Sequence, residues 1–334
     1  MKTNFKVLLT VLSLTGLYAC TKNQDAAPNT NPTNTTTTTT TTTTNSTVFY
    51  VDTFRVYSTT LTGTDRKVVV DEDLKSNNNY ISSISTLPGK SMLVYSYSTG
   101  YLNPVVIKTV GNDGTGLKTI KTIPAGTYIY FLKGVTGGKI YYSTGVSAAT
   151  AKIYVMDADG TNEKEITGIP SGEVGTYIPE QQIAGQGTGV LGNDGYFIGL
   201  ASAAFNEAGS FSLLTNETKA SIVRMAISDD GTKAALLYKT AIANVFEVRV
   251  KDITKTNTAA TLVYTVTLDA DESLYNIYML WANGTKNIIV YDGKFTTPKG
   301  SVSDYTKCEL VDISAKTATN WKFTGDQISQ IVVN

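Results

Sequence analysis

Histidine is absent from this 334-residue chain, and that absence excludes more chemistry than any motif includes. Ser-His-Asp and Cys-His activation of a nucleophile cannot operate. Histidine-ligated zinc and iron sites are excluded too. Acid–base work near neutral pH is left to carboxylates, lysine, tyrosine or a thiol. Cysteine is nearly absent: Cys20 and Cys308 are the only two, so the fold does not rest on a disulfide framework. Dense basic runs are missing as well. Basic and acidic side chains both number 28. Nucleic acid requires a basic face that neutralises phosphates, and it is not an expected partner. A glycosidase-type carboxylate pair remains chemically allowed, but nothing singles one out among 28 scattered acids. The glycine-rich stretch "AGQGTGVLGNDG", residues 184 to 195, lacks a following helix and a GK[ST] ending. It is expected to be a loop between repeats and not a phosphate cradle. No cofactor is expected.

Long apolar runs are also scarce. One stands at the N-terminus, Val7 to Leu17, behind Lys2 and Lys6. Eleven helical residues span roughly 16 Å, about half the hydrocarbon core of a bilayer. The run therefore fits a secretory signal and not a transmembrane anchor. It ends on Leu17-Tyr18-Ala19-Cys20, which resembles the bacterial lipobox; the bland alternative is an ordinary signal peptide with a chance cysteine. The resemblance implies cleavage after residue 19 and a lipid on Cys20, giving a membrane attachment that needs no spanning segment. Thr21 stands where an aspartate would mark retention at the inner membrane, so the resemblance implies the outer membrane. Whether the protein faces the periplasm or the medium is left open. Cleavage leaves 26 basic against 28 acidic side chains, a net charge of −2.

Residues 21 to 46, "TKNQDAAPNTNPTNTTTTTTTTTTNS", contain too little apolar surface to offset the entropy of ordering a chain. Residues 20–46 are expected to be a disordered tether carrying the lipidated cysteine. A random coil of that length reaches roughly 28 Å, and β-branched threonine stretches it further.

From Thr47 onward the chain alternates short β-branched and aromatic runs with Gly, Asn, Asp and Thr. "VFEVRVKDI" has period two: Phe246, Val248 and Val250 face one way, Glu247, Arg249 and Lys251 the other. No stretch carries a capped 3.6-residue period. Two hairpin types recur. "LPGKSMLVYS", "TGGKIYYST", "GNDGYFIGL", "SDDGTKAALLY" and "WANGTKNIIVY" place turns at Gly89, Gly138, Gly195, Gly231 and Gly284. After each, and once before them all, comes a second type: "LTGTDRKVVV", "GNDGTGLKTI", "DADGTNEKEIT", "LTNETKASI", "DITKTNTAATLV" and "DISAKTATNWKF". Asp-Gly and Asn-Gly supply the positive φ of tight hairpins. A period of about 50 residues with two hairpins makes a four-stranded sheet, the unit of a propeller blade.

"IYVMDADGTNEKEIT" and "SDDGTKAALLY" resemble the two halves of the TolB-type, WD40-like propeller repeat. The resemblance holds over residues 127 to 168 and 222 to 254. Asp229 replaces a proline of that pattern, Trp281 stands where "SDDG" has Ser228, and the α/β domain that accompanies the TolB propeller has no counterpart. The expectation is an all-β, six-bladed propeller over 47–334, after a signal peptide (1–19) and the tether. The first repeat lacks its opening strand, and the chain ends on the lone strand "QISQIVVN". A ring must close without an exposed edge, so Ile328 to Val333 is expected to complete the blade begun at Val48.

Few side chains stand out as sites. Asp157, Asp159 and Asn162 open like a calcium loop, but position twelve is Gly168 and not glutamate. They are read as turn formers. Cys308 alternates with Leu310 and is read as a buried thiol. Trp281, at a turn, is a candidate contact for a sugar ring or protein partner; packing between blades is its bland reading, and Trp321 has the same choice. The twenty tyrosines are expected to pack between blades with hydroxyls at an edge. Together these features point to a lipid-anchored propeller that binds or scaffolds a protein or glycan partner. The alternative is a carboxylate-based glycan-active enzyme using the central funnel.

Overall fold

The computed structural model describes residues 46–334 except 53, 73–79, 101–102, 136, 148–149, 168–176, 184–186, 193–195, 202–203, 213–215, 219–220, 229, 256–257, 270–276, 296–301 and 321–327. Within 177–212 and 292–307, and at 329, the description stops at the backbone. Cys20, the signal segment, the tether and Trp321 lie outside the described residues.

The described elements are strands, and they form six four-stranded antiparallel sheets. The first takes β1 (Thr47–Asp52), β2 (Arg55–Thr60) and β3 (Lys67–Asp71), with β24 (Ile328–Val333) on the inner side of β1. The second is β4 (Tyr80–Leu87), β5 (Met92–Ser98), β6 (Val105–Gly111) and β7 (Lys118–Ile123). The third is β8 (Tyr128–Val135), β9 (Lys139–Gly145), β10 (Lys152–Asp157) and β11 (Lys164–Ile166). The fourth is β12 (Tyr177–Ile183), β13 (Gly187–Gly192), β14 (Tyr196–Ala201) and β15 (Ala204–Ser212). The fifth is β16 (Ile222–Ile227), β17 (Lys233–Lys239), β18 (Val245–Asp252) and β19 (Thr261–Thr267). The sixth is β20 (Tyr278–Ala282), β21 (Asn287–Phe295), β22 (Val302–Asp312) and β23 (Thr317–Asn320). Their inner strands touch in one cycle: β24 to β4, β8, β12, β16, β20 and back to β24. The sheets are the blades of a β-propeller.

Closure occurs where the sequence places it. β24 pairs with β1 from Val48↔Val333 to Asp52↔Ile328. Beyond it, Thr47 N donates to Asn334 O at 3.2 Å and Asn334 N to Thr47 O at 2.9 Å. Ile328 and Ile331 are buried in the core shared by the sixth and first blades, while Val332 packs into the core shared by the first and second. One six-residue strand thus serves two inter-blade cores.

Both faces of a blade are covered by neighbours, and this corrects the half-buried reading of β18. Phe246 and Val248 are buried as expected, but Lys251 on the opposite face is 2% exposed. The same double burial turns β17 into a continuous run, with Ala234 to Tyr238 all buried. Glycine sets the spacing where inner strands meet. A Cβ on Gly134 of β8 would lie 2.1 Å from Thr86 O of β4.

The hairpin "DADGTNEKEIT" joins β10 to β11. Gly160 has φ 88°, and a Cβ there would stand 2.4 Å from Ile120 O on the outer strand of the preceding blade. Gly114 repeats the relation, 2.8 Å from Val69 O. Glycine therefore lets each turn lie against its neighbour's backbone. Asp159 Oδ1 accepts from Thr161 N at 2.9 Å and Thr161 Oγ1 at 2.6 Å. Equivalent pairs are Asp113–Thr115, Asp230–Thr232, Asp252–Thr254 and Asp312–Ser314.

Blade four departs from the expected register. Gly89, Gly138, Gly231 and Gly284 mark turns between the first two strands of their sheets, all at positive φ. Gly195, itself outside the described residues, falls between the second and third strands, β13 and β14. "LTNETKASI" leads from β15 into β16 and is not a hairpin within a sheet. The glycine-rich stretch expected as a loop supplies β13, which pairs on both sides. Glycine is depleted in strands, so composition concealed a strand whose place the ring requires.

Candidate functional site

Four strands return the chain to the face it left, so the six inner strands begin on one face, here called upper, and end on the lower one. Both ends of the domain lie on the lower face. Ser46 Oγ there accepts from Asn283 N, in the turn between β20 and β21, at 2.9 Å.

The upper mouth of the ring is marked by tyrosine. Four of the six inner strands open on one: Tyr80, Tyr128, Tyr177 and Tyr278. Tyr80 is 38% exposed, and Tyr128 and Tyr278 are half-buried. The Tyr128 and Tyr130 rings sit 6.3 Å apart in a tilted arrangement. The Arg224 guanidinium lies 4.2 Å over the Tyr278 ring, a geometry in which the ring face attracts the cation. The inner strands carry one acid, Glu180, against Lys133 and Arg224. Among the described residues the mouth thus presents amphipathic rings, Tyr80 the most exposed of them.

Buried acids lie elsewhere, between blades. Glu72, just past β3, accepts from Tyr95 OH at 2.6 Å and from Lys108 Nζ at 2.7 and 2.9 Å. Glu217, just before β16, accepts from Ala260 N at 2.6 Å, from Lys251 Nζ at 3.2 Å and from the Tyr238 hydroxyl. Each glutamate fastens an inter-blade connection to the second and third strands of the blade that follows. Burial, reinforced by the bond to Glu72, pushes the Tyr95 hydroxyl well above the ordinary phenol range. Tyr142 and Tyr238 rise for the same reasons against Glu163 and Glu217. These groups are fully engaged in one another.

Tyrosines also form stacked cross-strand pairs, Tyr50 with Tyr57, Tyr142 with Tyr154, and Tyr278 with Tyr291, centroids 5.2 to 5.3 Å apart. The expected edge hydroxyls are thus partly replaced by buried hydroxyls bonded to glutamate.

Trp281, the candidate ligand contact, is 5% exposed on β20. Its Nε1 donates to Ala226 O of β16 at 2.9 Å, and the ring belongs to the core between the fifth and sixth blades. The contact reading is corrected: the indole presents no face to a ligand. The strand runs through Ala282, one residue past the expected turn. Cys308 is a buried thiol on β22. Asp157 binds Lys139 Nζ and, at 2.6 Å, Asn162 Nδ2, while Asp159 is held by Thr161. Both carboxylates belong to the turn, with an ammonium group beside Asp157. Among the described residues no group of three His, Cys, Asp or Glu could hold a metal ion. The mouth tyrosines belong to no local motif, and their one sequence signal is a spacing of 48, 49 and 101 residues that follows the repeat.

No protein-family model and no curated protein matches this chain. Among solved structures, TolB from Acinetobacter baumannii superposes with a TM-score of 0.60 at 12% identity, over 87% of this chain and 67% of that one. The nidogen/laminin complex matches with a TM-score of 0.49 at 10% identity, over 86% and 98%. At 12% identity the likeness to TolB shows the fold alone: the chain is a β-propeller.

Proposed function

We propose that this protein is an envelope lipoprotein, anchored in the bacterial outer membrane through a lipid on Cys20, whose propeller binds a protein partner at its upper mouth. Residues 21 to 46 serve as the tether. The observation that carries the reading is the repeated tyrosine at the start of four inner strands, with Tyr80 exposed. Tyrosine offers large contact area with a polar tip and little entropy to lose, and it is enriched in interface cores. Ser46, where the described chain begins, lies on the lower face. The alternative, a glycan-active enzyme, calls for two carboxylates roughly 5 to 10 Å apart. Six inner strands with a single acid offer it no support.

The test is capture. Full-length protein in detergent is used to retain envelope proteins and is compared with Tyr80→Ala/Tyr128→Ala. Retention of a partner that falls about tenfold or more in the variant, at unchanged melting temperature, supports the reading. Equal retention by both proteins rejects it.

A further inference from the structure

The outermost strand of each blade presents an open edge, and proteins guard such edges with charge or by keeping them short. Of the six outer strands, β3 carries Lys67 and Asp71, β7 Lys118 and Lys121, β11 Lys164 and Glu165, and β15 Glu207. Asp71 and Glu165 are ion-paired within their own sheets, to Arg55 and Lys152 at 3.0 Å each. β23 is uncharged but only four residues long. β19, "TLVYTVT", has seven residues and no charge. Around it, residues 258–268 hold neither a charge nor a proline. Among the described residues β18 alone pairs with β19, which forms the end of its sheet.

This edge is also firmly placed. Val263 and Val266 are buried in the core between the fifth and sixth blades, and the Tyr264 hydroxyl donates to Glu309 of β22. Thr261, Leu262 and Thr265 are exposed, Leu262 by 39%. A fixed, β-branched edge with an apolar side chain in solvent is a surface that another strand extends.

Charge selects the occupant. A two-fold axis sets a strand antiparallel to its own copy, and like charges that meet across the pair repel. β19 brings no charge to such a pairing, and its threonines and aliphatic side chains suit one another across strands. Pairing of β19 with its copy consumes the unguarded edge of both chains, so assembly stops at two. We infer that two copies of this chain pair through β19, joining their fifth blades into one continuous sheet. The inner strand β16 lies three strand spacings, roughly 14 Å, from this edge. The pairing thus leaves the tyrosine mouths free and makes the assembly bivalent.

Sedimentation equilibrium of the full-length protein in density-matched detergent tests it. The wild type should form a dimer with a Kd of about 10 μM or tighter, in keeping with a small interface. Thr265→Lys should weaken the dimer about tenfold or more, because it sets like charges on facing strands, with an unchanged far-ultraviolet circular dichroism spectrum. Leu262→Lys should do the same, and it decides the outcome if Thr265→Lys does not fold. Thr119→Lys, at an exposed position of β7, should dimerise like wild type. A wild type that is monomeric at about 100 μM overturns the inference. So does a dimer that survives both β19 variants, or one that Thr119→Lys weakens equally. Failure of partner capture at the mouth leaves the dimer standing, since the two assays read different residues.

Discussion

Gln330 on the C-terminal strand accepts the backbone N–H of Ile84 at 2.9 Å, across 246 residues of chain. Its amide nitrogen also donates to Ser82 O at 2.5 Å. The side chain thus pairs with the inner strand of the second blade as a neighbouring strand would, and it seals the first blade to the second. Gln330→Ala should cost about 1–3 kcal/mol for each backbone group left unpaired. Urea denaturation reads this directly; a loss below about 0.5 kcal/mol would mean that the seam holds without it.

Gly160→Ala should destabilise far more than Gly126→Ala. Both glycines have positive φ, 88° and 75°, and alanine suffers there by about 1–2 kcal/mol. A Cβ at Gly160 also strikes Ile120 O of the neighbouring blade, whereas one at Gly126 meets nothing within 4 Å. Equal midpoints for the two variants in thermal melts would contradict the packing of the turn on its neighbour.

Stability should fall at both ends of the pH scale and stay level between. Hydrogen bonds from Thr115, Thr161, Thr254 and the Ser314–Ala315 segment hold Asp113, Asp159, Asp252 and Asp312 below the usual carboxylate range. At Asp230 burial pushes the carboxyl up, but bonds from Ser228 and Thr232 outweigh it. Depressed carboxylates stabilise the fold above the unfolded value of about 4, and that contribution is lost as pH falls through the folded values. Burial raises Tyr95, Tyr141, Tyr142 and Tyr238. Their contribution is present below the unfolded value of about 10 and declines above it. No histidine titrates between. Melting temperatures from pH 2 to 11 should trace a plateau from about pH 5 to 9; a step near pH 6.5 would contradict the account.

Cys20→Ser should abolish lipid attachment and leave the precursor uncleaved, because the apolar run ends at the Leu17-to-Cys20 motif. Mass spectrometry of the wild-type N-terminus checks this. A free, unmodified amino terminus in the mature protein would remove the anchor from the proposal.

Much of the ring is legible in the sequence because turn chemistry is local. Asp159-Gly160 and Ser228–Gly231 announce their hairpins by residue type, and the unpaired ends announce the closure of β24 on β1. Blade four was misread because β13, "GTGVLG", owes its strand state to two flanking partners and not to propensity. Burial of Lys251 was not legible for a related reason: burial on the second face of a blade depends on the neighbouring blade, which no single repeat specifies, whereas packing between blades was one of the two readings open for Trp281 and is the one that holds. The mouth tyrosines are widely separated in sequence, and only the ring assembles them.

Ring closure by the C-terminal strand is the claim on which the rest depends, and deletion of Ile328–Asn334 tests it most directly. The deletion removes the partner of β1 and the Gln330 seam. It also removes Ile328 and Ile331 from a buried core, at roughly 1.5–3 kcal/mol each. Against a total stability of about 5–15 kcal/mol, the loss should unfold or aggregate the whole domain, seen as a single, much lower melting transition. A truncated protein that melts like the full chain would show that the tail is dispensable and that the ring is not closed by it.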